Sequence, residues 1–342
     1  MIPDQLLALI HQAAAEQWRE LDLSGNNLTT LPPEIGSLTH LETLILGKVE
    51  TWEWRWEGDR FKPVPTLSTN QLSELPPELV ALNNLKTLYL SGNPLAVVPE
   101  VVFQLHTLES LSLVSTGLAE LPEAITNLTH LKELDLSFNQ LSVLPAAIGQ
   151  LTNLSQLALS FNQLSVLPAA IANLANLTTL DLHSNQISQI PNSLETLSRL
   201  KRLDLRRNPL PISPEILGSA DMHKDPGSVA EIFNYLRQLR SGEVRPLNEA
   251  KLLLVGQSSV GKTSLVQRLC HNQFDPHQPQ TDGLSVTSWI IHVNSKDVRL
   301  NVWDFGGQEI YHATHQFFLT KRSLYLLVCN CCTSEEENRL DY

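Results

Sequence analysis

Hydrophobic positions recur along the first two thirds of the chain with a period of 23 residues. "LKELDLSFNQLSVLPAAIGQLTN" (131–153) aligns with "LSQLALSFNQLSVLPAAIANLAN" (154–176), and a leucine opens each unit at Leu85, Leu108, Leu131, Leu154, Leu177 and Leu200. Inside a unit the LxxLxL pattern alternates apolar and polar positions, which predicts a short strand with one buried face. An asparagine follows each strand, at Asn26, Asn70, Asn93, Asn139, Asn162, Asn185 and Asn208, with Thr116 filling one rung. Its amide can satisfy turn backbone groups that no strand ladder reaches. A Leu-Pro step and an IxxL run then return the chain on the opposite side. One unit cannot bury its own leucines, but a stack can. The pattern predicts a solenoid of about eight units over 18–217, capped at 1–17 by an amphipathic helix.

One unit breaks the period. An insert near 48–68 carries Trp52, Trp54 and Trp56 alternating with Glu53, Arg55 and Glu57, and Gly58-Asp59 can turn a hairpin. The tryptophan stripe is read as packing back on the solenoid, with a flap that grips a partner as the alternative. After the repeats, 218–248 reads as a helical connector, with Ile232, Tyr235, Leu236 and Leu239 at helical spacing.

From 249 the pattern changes to α/β. The apolar run Leu252–Val255 reads as a buried parallel strand. Gly256, Gly261, Lys262 and Thr263 then match GxxxxGK[ST], and a helical run follows. Glycines there let successive N–H groups face one phosphate, and the helix N-terminus adds partial positive charge. Lys262 is the residue to reach the β- and γ-phosphates, and the Thr263 hydroxyl the one to ligate Mg²⁺. A later strand ends in Asp304, followed by Gly306, Gly307 and Gln308. A carboxylate there can hold Mg²⁺ through water, the Gly307 N–H can approach the γ-phosphate, and Gln308 can orient the attacking water. Strands are expected near 250–255, 284–293, 297–304 and 323–330.

The net charge of −12 argues against nucleic acid or an anionic membrane as partner. Lys201, Arg202, Arg206 and Arg207 form a local basic cluster, read as a solvated face at the end of the solenoid, with a docking patch as the alternative. Cys270, Cys329, Cys331 and Cys332 fit neither a disulfide framework nor a zinc site, and Cys329 is read as a small buried strand residue. His312 and His315 lack a third ligand nearby. No leading basic region or membrane-length apolar run is present, so a cytoplasmic location is expected.

The repeats resemble the short intracellular type of leucine-rich repeat, and 249–342 resembles the Ras-like GTPases. Together, with "RPLNEAKLLLVGQSSVGKTSL", "WDFGGQEIYHATHQFFL" and "SLYLLVCN", the chain resembles the Roco family, whose GTPase domain is called Roc. The resemblance implies an α/β fold: a leucine-rich-repeat solenoid followed by an incomplete Ras-like P-loop GTPase domain. It implies GTP/GDP and Mg²⁺ as ligands and slow hydrolysis, in a signalling switch whose repeats bind a protein on their concave face. The phosphate loop is then Gly256–Ser264, including Ser259 and Val260, with the first switch at Thr281, a further Mg²⁺ ligand, and the second at Asp304–Gln308. In the family two more strands, a guanine-specifying N/TKxD motif and the dimerising COR domain would follow residue 342. A truncated Roc domain, no kinase domain and an apolar edge at 323–330 are therefore expected, and GTPase activity stays open. The alternative is a non-enzymatic repeat scaffold with a vestigial nucleotide site.

Overall fold

A computed structural model describes residues 2–57, 60–219, 224–241, 249–256, 260–279, 284–293, 296–305 and 323–329. The chain forms two compact units, Met1–Val244 and Arg245–Tyr342.

In the first unit, helix α1 (Pro3–Ala15) lays Leu6, Ile10 and Ala13 onto the start of the repeat core. Seven further elements continue a parallel sheet from β1 (Glu20–Asp22): β2 (Thr43–Glu57), β4 (Thr87–Leu90), β5 (Ser110–Ser112), β6 (Glu133–Asp135), β7 (Gln156–Ala158), β8 (Thr179–Asp181) and β9 (Arg202–Asp204). On the return side each repeat makes a five-residue 3₁₀ turn behind a proline, such as Ala146–Gln150 behind Pro145. The proline fixes the φ that starts the turn. The turns insert branched side chains, Ile125, Ile148 and Ile171 among them, into a single continuous core. Each fully buried leucine or isoleucine stabilises the stack by about 2 kcal/mol.

The asparagine ladder closes the backbone account of the turns. Asn162 Nδ2 donates to Leu159 O in its own repeat (3.1 Å) and to Leu136 O in the preceding one (3.0 Å), while its Oδ1 accepts from Leu141 N–H (3.0 Å). Asn139, Asn185 and Asn208 repeat the pattern. Thr116 keeps the bond within its repeat, from Oγ1 to Leu113 O (2.9 Å), with a longer approach to Asn139 Oδ1 (3.3 Å), but has no donor for the preceding repeat.

The insert is a long hairpin. Strand β2 leaves the parallel sheet near Gly47 and pairs antiparallel with β3 (Arg60–Ser68). The chain rejoins the ladder at once, because Asn70 donates to Leu23 O and Leu46 O, each 2.8 Å. Trp52 reaches across to Phe138, ring centroids 5.3 Å apart, so it packs back on the solenoid while staying 48% exposed.

At the far end, α2 (Pro214–Leu217) and α3 (Val229–Ser241) add Leu217, Ile232 and Phe233 to the core. The basic cluster is not a uniformly solvated face. Arg206 is 3% exposed and forms a buried ion pair with Asp204, while also donating to Ser219 O (2.9 Å) and Lys224 O (3.0 Å). The chain after the last repeat folds back over it, which a local reading of the turn could not anticipate.

The second unit holds a four-stranded sheet ordered β11–β12–β10–β13: β10 (Glu249–Val255), β11 (Leu284–Val293), β12 (Lys296–Phe305) and β13 (Ser323–Leu327). Strands β12 and β13 flank β10 in parallel, and β11 pairs antiparallel with β12. Leu252 and Leu254 alternate onto one face, where Val266 of α4 (Lys262–His271), Leu300 and Val302 complete a small core. Cys329 is exposed rather than buried, because β13 ends at Leu327 on the outer edge of this sheet.

Candidate nucleotide site

The carboxyl ends of β10 and β12 lie side by side, with Leu254 in register with Asp304. Strand β10 has β12 on one side and β13 on the other, and the chain crosses from β12 past β10 to reach β13, so the strand order reverses there. A crevice at such a reversal, outside the carboxyl ends of parallel strands, is where open α/β sheets bind ligands.

Two glycines shape the phosphate loop. Gly256 follows β10 at φ +152°, and a Cβ there would sit 2.3 Å from Val328 O. The approach is tight because Val328 N–H donates to Val255 O (2.8 Å), which pins the end of β13 against the start of the loop. Gly261 caps α4 at φ +93°, in the left-handed region, with no atom within 4 Å of a Cβ. That glycine is required by torsion alone. The helix behind it runs ten residues, so its first N–H groups and its dipole face the loop.

Lys262 is the first residue of α4. Its side chain turns back and donates from Nζ to Gly256 O at 2.7 Å. Burial pushes its ammonium below the usual lysine range, and the nearby Asp304 carboxylate opposes that shift. Thr263 Oγ1 donates to Asp304 Oδ2 at 2.6 Å, and Asp304 is 2% exposed. The structure thus gathers Gly256, Gly261, Lys262, Thr263 and Asp304 in one place, with Val260 and Ser264 on either side of the helix start. Ser259, Thr281, Gly307, Gln308, His312, His315, Cys331 and Cys332 lie outside the described residues.

A hydroxyl and a carboxylate that converge beside an anion cradle are hard oxygen donors, the kind Mg²⁺ prefers. Their chemistry fits that ion with no further ligand type needed. Val328 was not singled out by sequence reasoning. No local signal marks it, since its role comes from the pairing of β13 with β10.

Comparison with known proteins bears on both units. The family described as "Ras of Complex, Roc, domain of DAPkinase" matches residues 251–342. A leucine-rich repeat region matches 106–206, and single leucine-rich repeats match 17–38 and 84–105. The probable serine/threonine-protein kinase pats1 of Dictyostelium discoideum is 36% identical over 131 residues, which is 32% of this chain and 4% of that protein. A Roc-COR-CHAT protease from an unknown prokaryotic organism is 33% identical over 134 residues, 36% of this chain and 12% of that one. The chain therefore spans a small part of the curated relatives it matches. Among solved structures, Methanosarcina barkeri Roco2 RocCORdC bound to GDP is 52% identical, covering 27% of this chain and 29% of that one, with a TM-score of 0.25. A leucine-rich-repeat protein of Leptospira interrogans is 32% identical over 60% of this chain and 59% of its own, with a TM-score of 0.43. Among the described residues no helix is long and apolar enough to cross a membrane.

Proposed function

Since the chain is a Roco-family protein, leucine-rich repeats ahead of a Roc domain, we propose that it is a guanine-nucleotide switch whose repeats engage a protein partner. The observation that carries this reading is the Thr263–Asp304 contact beside the Gly256–Lys262 turn. Both are oxygen donors, converging at the place where a Mg-nucleotide would sit.

In this reading the loop Gly256–Ser264 wraps the phosphates through backbone N–H groups, with Ser259, Val260 and Gly261 shaping the cradle. Lys262 leaves the Gly256 carbonyl and moves its charge onto the β- and γ-phosphates. The Thr263 hydroxyl and, through water, Asp304 would hold Mg²⁺, which when bound would supply charge neutralisation at the phosphate oxygens. Thr281 and Gly307 belong to the two switch segments that sense the γ-phosphate, and Gln308 orients the water for slow hydrolysis. The setting is the cytoplasm, where the nucleotide is supplied.

Titration of the full chain with a fluorescent GDP analogue in Mg²⁺ tests the reading. Binding displaced by GTP and GDP but not by ATP, and lost in Lys262→Ala, is the expected result. Unchanged affinity in that variant, or displacement by ATP alone, overturns it. Failure of the wild-type chain to bind any nucleotide would favour the scaffold reading, in which only the repeats act.

A further inference from the structure

The hairpin covers the strand face of the repeats and leaves two clefts beneath it, one on each side of Trp52. The first, about 350 Å³, is floored by Glu133, Asp135, Gln156 and Ala158. The second, about 310 Å³, is lined by Trp52, Phe138, Phe161, Asp181 and His183. Small side chains open this space. Ala158 stands between Asp135 and Asp181 in the sheet register, and Ser137 and Ser160 occupy the turn position that His183 fills one repeat later.

Two chemical features meet here. The first is a shelf of aromatic rings. Phe138 and Phe161 occupy equivalent positions one repeat apart and stack at 4.2 Å and 23°, Trp52 extends the stack, and His183 meets Phe161 edge-on at 4.7 Å. Both phenylalanines hold positive φ, +58° and +53°, at a turn position where earlier repeats place Gly25 and Gly92. A bulky residue there carries backbone strain that glycine avoids.

The second feature is negative charge held without a direct ion pair, although the Arg202 charge reaches Asp181 from the cleft wall. The basic residues lining the clefts have other partners: Lys48 pairs with Asp22, Arg202 with Asp225, and Arg206 with Asp204. Glu133, Asp135 and Asp181 have no Lys or Arg ion-pair partner among the described residues, and only neutral donors such as Gln156 Nε2, Ser137 N–H and His183 N–H reach them. Independently, His183 is 7% exposed and its Nδ1 finds no hydrogen-bond partner, lying 3.7 Å from Asp181 Oδ1. Two acceptors held this close beside an aromatic face suit a planar cation with several N–H donors. A guanidinium stacks on aromatic rings and presents such a fork, whereas an ammonium is a point charge.

We propose that the strand face beneath the β2–β3 hairpin receives an arginine side chain from an extended segment of a partner protein. Phe161, Phe138 and Trp52 form the stacking shelf, Asp181 is the counter-ion, and the His183 ring is a second acceptor. Asp135 and Glu133 in the adjoining cleft favour further basic residues along the same segment. This site is separate from the nucleotide reading and involves no residue of it.

Retention of the full chain on resin-bound nonapeptide libraries, with a fixed central arginine, lysine or citrulline, tests the proposal at pH 8 without nucleotide. The arginine library is expected to retain the protein about tenfold or more over citrulline, with lysine between them. Asp181→Asn, which keeps side-chain shape, is expected to fall to the citrulline level with its unfolding midpoint no lower than that of the wild type. Phe161→Leu is expected to weaken retention while keeping apolar bulk. Glu231→Gln, an exposed acid on α3, is expected to behave as the wild type. Equal retention on arginine and citrulline overturns the proposal, as does full retention by Asp181→Asn or an equal loss in Glu231→Gln. Equal retention on lysine overturns the guanidinium assignment.

Discussion

The Thr263 hydroxyl donates to Asp304 Oδ2 across 2.6 Å, joining the first turn of α4 to the last residues of β12. This contact holds two oxygen donors together that a divalent cation would separate or share. Asp304→Asn keeps a side-chain oxygen for the Thr263 hydroxyl and removes the charge. Its nucleotide affinity in Mg²⁺ is expected to fall by about 10- to 100-fold, with little change when the ion is chelated. Affinity measured with and without Mg²⁺ checks this, and an unaltered Mg²⁺ effect would remove Asp304 from the metal site.

The asparagine ladder can be tested one rung at a time. Asn139→Ala leaves the buried Thr116 N–H and Leu118 N–H without their acceptor, while Leu113 O keeps Thr116 Oγ1 and Leu136 O keeps Asn162 Nδ2. A loss of about 2 kcal/mol or more is expected, since each unsatisfied buried group costs about 1 kcal/mol or more. Thr116→Asn restores the missing rung toward Leu90 O and is expected to stabilise by about 1 kcal/mol. Urea unfolding of the two variants gives both numbers, and a stabilising Asn139→Ala would contradict the ladder.

The Asp204–Arg206 pair is buried on both sides, 2% and 3% exposed. Burial pushes the Asp204 carboxyl up, yet the Arg206 hydrogen bond and charge hold it below its ordinary value. Arg206→Met leaves that charge buried alone and frees Ser219 O and Lys224 O, so a loss of about 3–5 kcal/mol is expected. The double variant Asp204→Leu with Arg206→Met is expected to lose less than the single one. A double-mutant cycle that shows simple additivity would deny the coupling.

Asp181 gives a pH signature. Burial, helped by the Asp204 and Asp135 charges, pushes its carboxyl up to about 7, against the opposing pull of the His183 N–H bond and the Arg202 charge. A carboxyl raised on folding is destabilising when ionised, so its penalty is absent below about pH 4 and complete above about pH 7. With the side chain partly solvated, the penalty is about 2 kcal/mol at pH 8. His183, lowered to about 4 by burial, works the other way, adding stability that is lost as pH falls from 6.5 towards 4. Asp181→Asn is therefore expected to raise the unfolding midpoint at pH 8 and to give no gain near pH 4. A constant difference across that range would show that Asp181 ionises normally.

Much of this architecture is legible in sequence because its signals are short-range or strictly periodic. A 23-residue spacing fixes which leucines turn inward, and the stacked strands of the first unit follow from it. The four strands of the second unit fall where apolar runs and the glycine loop place them. What could not be read depends on distant chain segments. The Asp181 position looks solvent-facing by strand alternation, and only the neighbouring repeats and the hairpin desolvate it. Arg206 sits in a polar turn and is buried by carbonyls 13 and 18 residues further on. Trp52 belongs to an evident hairpin, but its contact with Phe138 depends on how far the hairpin leans across the repeats, which no local pattern encodes.

The way β2 departs and the chain returns carries a consequence for engineering. Gly47 is where the strand leaves the stack, and a Cβ there would lie 2.1 Å from Ser91 O. Asn70 resumes the ladder with two 2.8 Å bonds, as though the intervening residues were absent. The extension pairs its own backbone in the hairpin and asks nothing of the leucine core. The stretch between Gly47 and Asn70 is thus a natural splice site. Foreign hairpins of different length or side-chain content could be exchanged there to reprogram what the repeats grip, leaving the supporting spine untouched.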